Sequence, residues 1–201
     1  ELAPDAWLIN FTNPSGIVTE TVNKYTNVKA IGLCNVPVVM HMMAAEVLDL
    51  PKDELRMDFV GLNHLVWGRD AIYNGESKMD DIITGLIDGD FNDVENVPDF
   101  GWGEDLLRSL GMLPCPYHRY YYLTDKMLEE EIEAAKTEGT RGEVVKKLEA
   151  DLFELYKDPE LKEKPEQLEK RGGQYYSDAA CDLINAIYNN QGTMHYVNVA
   201  N

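Results

Sequence analysis

Cys34 and His64 are the side chains of this 201-residue sequence best suited to hold a metal ion or attack a substrate, and they stand thirty positions apart. Cys34 closes the apolar run "KAIGLC", and Pro37 follows at a place where a helix can start. A thiol at the carboxyl end of a parallel strand sits where α/β sheets collect ligands, and a helix N-terminus behind it would favour a thiolate. Cys34 is therefore a nucleophile, a metal ligand or, since free cysteine behaves as a small hydrophobe, a buried filler. His64, in "GLNH", is a hydrogen-bonded core histidine or a ligand. Together they could bind a soft or borderline divalent ion if substrate or water supplied two further ligands, and such an open site is catalytic rather than structural. No CxxC or HExxH offers a self-contained zinc motif.

Three further places carry polar chemistry. Asn13 precedes Pro14, so it either starts a turn or offers an amide to a polar ligand. "PYHRYYYL" gathers Tyr117, Tyr120, Tyr121 and Tyr122 around Arg119. On one helix Tyr117 and Tyr121 would share a face, with Tyr120 off to one side. These rings are core aromatics, or one is a base whose pKa of about 10 is pulled down by a nearby cation. "KRGGQYYSDAA" sets Arg171 before two glycines, either as a cradle of backbone N–H groups for an anion or as a plain loop with Ser177 capping a helix. G-x-G-x-x-G and G-x-S-x-G are both absent, so the residues themselves establish neither a whole nucleotide-binding fold nor a serine hydrolase.

Positioning these groups requires a change of architecture along the chain. "AWLIN" and "VKAIGLCN" read as strands flanking a helix that carries Ile17, Val18 and Val22, which makes one β-α-β unit. A helix is expected just after Cys34. "LRMDFVGLNHLVWGRDAIYNGE" then mixes β-branched and aromatic residues up to an Asn-Gly turn, as antiparallel strands do. Short helices follow in "MDDIITGLIDG" and "EDLLRSLGMLP", then a solvated helical pair with Leu148, Leu152 and Leu155 at helical spacing. A helix with Ala179, Leu183, Ile184 and Ile187 inside and a strand in "TMHYVNVAN" complete the reading. The class is α/β going to α+β.

Composition narrows the partners. With 44% hydrophobic residues, the length suffices for one sizeable core or two modest lobes. Thirty-six acidic residues against 18 basic ones give a charge of −18, which repels nucleic acid and anionic lipid, so neither is expected as a partner. The apolar runs are too short for a bilayer span, and the opening "ELAPDAW" carries no export signal, so a cytoplasmic location is expected. Three cysteines at wide spacing are expected to be free thiols.

Five strings, "NFTNPSGIVTE", "IGLCNVP", "GLNHLVWGRD", "PYHRYYYL" and "KRGGQYYSDAA", resemble in this order the family-4 glycoside hydrolases, and within them those acting on 6-phospho-β-glucosides. The resemblance implies that residues 1–35 are the tail of a Rossmann-type NAD-binding domain. Residues 36–201 would be a lactate-dehydrogenase-like C-terminal α+β catalytic domain, incomplete at its end. It implies Cys34 and His64 as ligands of a divalent metal, usually manganese, and Asn13, Asn35, Asn63 and Arg171 as substrate contacts. The family's α-specific members carry Asp after the metal cysteine where this chain has Asn35, which favours a β-linked, phosphorylated disaccharide or glucoside. The implied reaction is oxidation at C3 by NAD, removal of the C2 proton by a tyrosine, and elimination of the aglycone. The motif gives the base as Tyr121, with Tyr120 and Tyr117 as alternatives. Homo-oligomers are implied as well. With the Gly-rich nucleotide segment expected before Glu1, the chain alone is expected neither to bind NAD tightly nor to turn over. The competing readings are a non-catalytic metal or sugar-phosphate binding module and an NAD-dependent 2-hydroxy acid dehydrogenase.

Overall fold

β1 (Trp7–Asn10) and β2 (Lys29–Gly32) pair in parallel, Trp7 opposite Lys29 and Asn10 opposite Gly32, and α1 (Ser15–Tyr25) crosses between them. This is the expected β-α-β unit. The computed structural model describes residues 2–88, 101–171 and 175–199. The expected helix forms, but its buried residues are Ser15 and Thr19 rather than the apolar ones that signalled it, and Ile17 is exposed. Close approach explains the difference. A Cβ on Gly32 would overlap Thr19 Oγ1 and stand 2.9 Å from Ser15 Oγ, so only small residues fit between α1 and β2. Ser15 Oγ donates to the Leu33 carbonyl across 3.2 Å and closes the contact.

α2 (Asn35–Val47) starts where Pro37 predicts, with Cys34 as its N-cap. It lays Val36, Met40, Met43, Ala44 and Ala45 into the main core. The opposite layer is an antiparallel sheet in which β3 (Arg56–Leu62) pairs β4 (Leu65–Tyr73). On the far side of β4 lie β5 (Glu76–Ser77) and β6 (Leu113–Pro114). Met57, Val66 and Ala71 of this sheet meet α2, and α3 (Met79–Asp88) and α4 (Glu104–Leu110) add Ile82, Ile83 and Leu107. The chain thus passes from α/β to α+β.

By internal packing it divides into two compact units, Glu1–His118 with Tyr175–Asn201, and Arg119–Gln174. The second is helical: α5 (Arg119–Tyr122), α6 (Thr124–Lys136), α7 (Arg141–Leu155) and α8 (Glu166–Arg171). α6 and α7 are the two expected solvated helices, with Met127 buried on the first and Leu152 on the second.

Three local expectations fail. α9 (Tyr176–Tyr188) begins after Tyr175, whose left-handed φ of 58° marks the N-cap, so Ser177 lies inside the first turn and caps nothing. Its buried face is Ala179, Leu183 and Ala186, and Ile184, one step off that stripe, is exposed. Residues 193–199 form no strand beyond one antiparallel bridge, in which Asn198 and Gly32 exchange N–H···O bonds of 2.9 and 2.7 Å. Tyr196 turns away from β2, because its hydroxyl donates to the Met57 carbonyl at 3.0 Å and its ring packs edge-on against Phe59.

Candidate functional site

β3 and β4 are joined by a two-residue turn, Asn63-His64, with Leu62 opposite Leu65. Two unusual backbone positions make it. Gly61 has φ 128°, where a Cβ would run into the Leu65 carbonyl. His64 has φ 62°, a left-handed conformation that a non-glycine residue adopts at some cost and that points to a role for the side chain.

Cys115 braces this turn. Fully buried, it donates its Sγ–H to the His64 carbonyl at 3.5 Å and its N–H to the Val66 carbonyl at 3.1 Å. Two residues on, the Tyr117 ring lies 4.4 Å from the His64 imidazole, tilted by 34°. The one helix on which Tyr117 and Tyr121 would share a face does not form. Pro116–His118 is a 3-10 turn whose His118 stacks on Trp67 at 4.2 Å, and α5 begins only at Arg119. Tyr117 therefore belongs to the first unit, and Tyr120, Tyr121 and Tyr122 belong to the second.

The turn, the start of α2, α1 and residues 195–199 line an open cavity of about 700 Å³ within the first unit. Cys34, Asn63 and His64 all line it. Cys34 Sγ accepts the Val36 N–H at 3.5 Å, as an N-cap side chain does. The expected thiolate-favouring effect of the helix end is nevertheless outweighed. Burial pushes the Cys34 thiol above its ordinary value, the Val36 bond pulls it down, and nearby Cys115 raises it further. Burial also holds His64 below the ordinary imidazole value, which keeps it neutral. A neutral thiol and a neutral imidazole on one cavity are a soft donor set that a divalent cation would convert to thiolate and ligating nitrogen. Among the described residues no group of three His, Cys, Asp or Glu side chains could hold a metal, so the rest of a coordination shell would come from outside them.

The remaining candidates lie elsewhere. Asn13 is outside the cavity wall and accepts the Ser15 N–H at 3.3 Å, a turn-forming role, although its neighbour Pro14 lines the cavity. Asn35 opens α2 without lining the cavity. Arg171, at the end of α8 in the second unit, pairs with Glu149 at 2.9 Å. The Gly172-Gly173 cradle lies outside the described residues. Unforeseen in the wall are Glu20, His195 and Asn198, and the last also donates its amide to Ser15 Oγ at 3.4 Å. A histidine and an asparagine inside the otherwise apolar "MHYVNVA" were the available signal.

Residues 59–201 match the C-terminal domain of the family 4 glycosyl hydrolases, and residues 1–50 match the family 4 glycosyl hydrolase domain that precedes it. The chain belongs to glycosyl hydrolase family 4. This family 4 chain is 51% identical to a probable 6-phospho-β-glucosidase of Bacillus subtilis, over 100% of its own length and 46% of the relative's. It is 49% identical to a 6-phospho-β-glucosidase of Escherichia coli, over 99% and 45%. Among solved structures it resembles the 6-phospho-β-glucosidase of Thermotoga maritima with NAD and glucose-6-phosphate, with TM-score 0.76, 34% identity, and 95% of this chain against 43% of that one. The same enzyme with manganese, NAD+ and glucose-6-phosphate gives TM-score 0.71, 34% identity, and coverage of 89% and 40%. The chain spans less than half the length of these relatives. Among the described residues no helix is long and apolar enough to cross a membrane.

Proposed function

We propose that this family 4 chain carries the metal and sugar site of a 6-phospho-β-glucosidase working by oxidation-assisted elimination, as a hydrolase of phosphorylated β-glucosides. The observation that carries this reading is the meeting of Cys34, Asn63 and His64 on one cavity with Tyr117 packed on the His64 ring. The relatives named above support the β-linked, 6-phosphorylated substrate, as does Asn35 directly after the cysteine.

In this reading Cys34 and His64 hold a divalent cation, manganese by analogy with the Thermotoga maritima enzyme. When bound, the cation supplies Lewis-acid polarisation at the sugar's C2 and C3 oxygens. With Cys34 and His64 as the protein donors, the rest of the shell would be left to substrate or water, and the sugar would be held near the turn. Asn63, beside His64, offers its amide to a sugar hydroxyl. Tyr117 takes the proton from C2. We favour Tyr117 over Tyr121 and Tyr120 because its ring adjoins the imidazole that holds the cation. No G-x-G-x-x-G loop occurs in these residues, and we assign the NAD phosphate cradle to the part of the relatives that this chain does not span.

The test is cleavage of a chromogenic 6-phospho-β-glucoside by the protein that carries these residues, with NAD and Mn²⁺ supplied. Cleavage requiring both is expected. Tyr117→Phe lowers turnover by about 10² or more and suppresses solvent exchange at C2, as loss of a general base does. Exchange lost in Tyr121→Phe and retained in Tyr117→Phe would return the base to Tyr121, and cleavage independent of both additives would contradict the mechanism.

A further inference from the structure

We propose that His195 is the acid that protonates the departing glycosidic oxygen, an assignment that rests on the reaction proposed above. Elimination breaks the C1–O bond and leaves its electron pair on oxygen. A sugar aglycone leaving as an alkoxide is a poor leaving group and needs a proton in the same step. Of the titratable side chains lining the cavity, Cys34 and His64 are taken up as ligand donors, and the Tyr196 hydroxyl is committed to the Met57 carbonyl at 3.0 Å. Glu20 and His195 remain.

His195 is the better placed of the two because the chain immediately after it is pinned. Asn198 is tied to Gly32 by two backbone hydrogen bonds, and Tyr196 is fixed by its hydroxyl and by Phe59. The ring is oriented too, with Nε2 3.0 Å from Thr193 Oγ1. In the imidazolium, Nε2–H donates to Thr193 Oγ1 and Nδ1–H is the proton to be given. As C1–O breaks, the Nδ1–H bond breaks, an O–H bond forms on the aglycone, and a neutral imidazole with its proton on Nε2 remains. Water then restores the Nδ1 proton at this half-buried position.

Two substrates that differ only in leaving group test this, assayed in the protein carrying these residues with NAD and Mn²⁺. They are a 6-phospho-β-disaccharide and 4-nitrophenyl 6-phospho-β-glucoside, whose phenolate leaves without a proton. His195→Ala and the isosterically milder His195→Gln should each lose about 10² or more in turnover on the disaccharide and less than about fivefold on the nitrophenyl compound. Equal losses on both substrates, no loss on either, or the same split produced by Glu20→Gln would overturn the assignment. Cleavage of the nitrophenyl compound by the unsubstituted protein without NAD would instead remove the proposed reaction, and this assignment with it.

Discussion

Cys34 and His64 were visible in the sequence as metal-ligand types, but their shared cavity was not, because it depends on how a β-turn meets the start of a helix. Cys115 was invisible as anything but a free thiol. Its bond to the His64 carbonyl is a weak S–H donation, yet it holds a left-handed histidine in place. Cys115→Ala should therefore cost about 1–2 kcal/mol of stability, from the lost bond and the small cavity. It should also weaken Mn²⁺ binding by about tenfold, as loss of a supporting contact behind a ligand does, with Cys115→Ser recovering part of that affinity. Thermal melts and a metal titration measure the two effects, and unchanged affinity in Cys115→Ala would contradict the bracing role. The buried histidines set a pH dependence. Burial lowers His41, against an opposing hydrogen bond to the Leu55 carbonyl, and burial likewise lowers His118. Both stay neutral in the fold while the unfolded chain takes up protons near pH 6.5, so stability present above that value is lost as pH falls below it. The melting temperature should drop between about pH 7.5 and about pH 5.5, and His41→Gln should flatten the drop.

Elements were more legible than sites. The β-α-β opening, α2 after Cys34 and the β3–β4 pair follow from apolar runs, a well-placed proline and a turn signal. What escaped was set by neighbours. α1 shows Ser15 and Thr19 to β2 because Gly32 lets the two backbones approach, a fact that no periodicity in "SGIVTETVNKY" encodes. Gly32→Ala should cost about 2 kcal/mol by forcing α1 and Asn198 off β2, as overpacking does. Amide exchange in α1 and residues 195–199 would rise with it, and an unperturbed melt would contradict that packing. The last segment, "TMHYVNVAN", reads as a strand, yet Tyr196 anchors it to Met57 instead. The capping box of α7, in which Thr140 and Glu143 bond each other's backbone, fits the pattern "TRGE", a local signal that the reading from apolar spacing passed over.

The molecule as a whole carries −18 at neutral pH, spread over a chain whose charge pairs are mostly on the surface. Self-repulsion of that size should make it less stable at low salt, with the melting temperature rising between about 10 and about 200 mM NaCl as the charges are screened. Such a field also discourages stray anions, so the phosphorylated sugar proposed above would need a local attraction to enter, and a cation held at Cys34 and His64 would supply one. Co²⁺ titration tests that centre most directly, because a thiolate ligand produces a charge-transfer absorption that oxygen and nitrogen ligands do not. In a Cys181→Ser background, the band should appear with Co²⁺, vanish in Cys34→Ser and weaken by about tenfold or more in affinity in His64→Ala. A band that persists undiminished in Cys34→Ser, or Co²⁺ affinity unchanged in His64→Ala, would contradict the shared metal site.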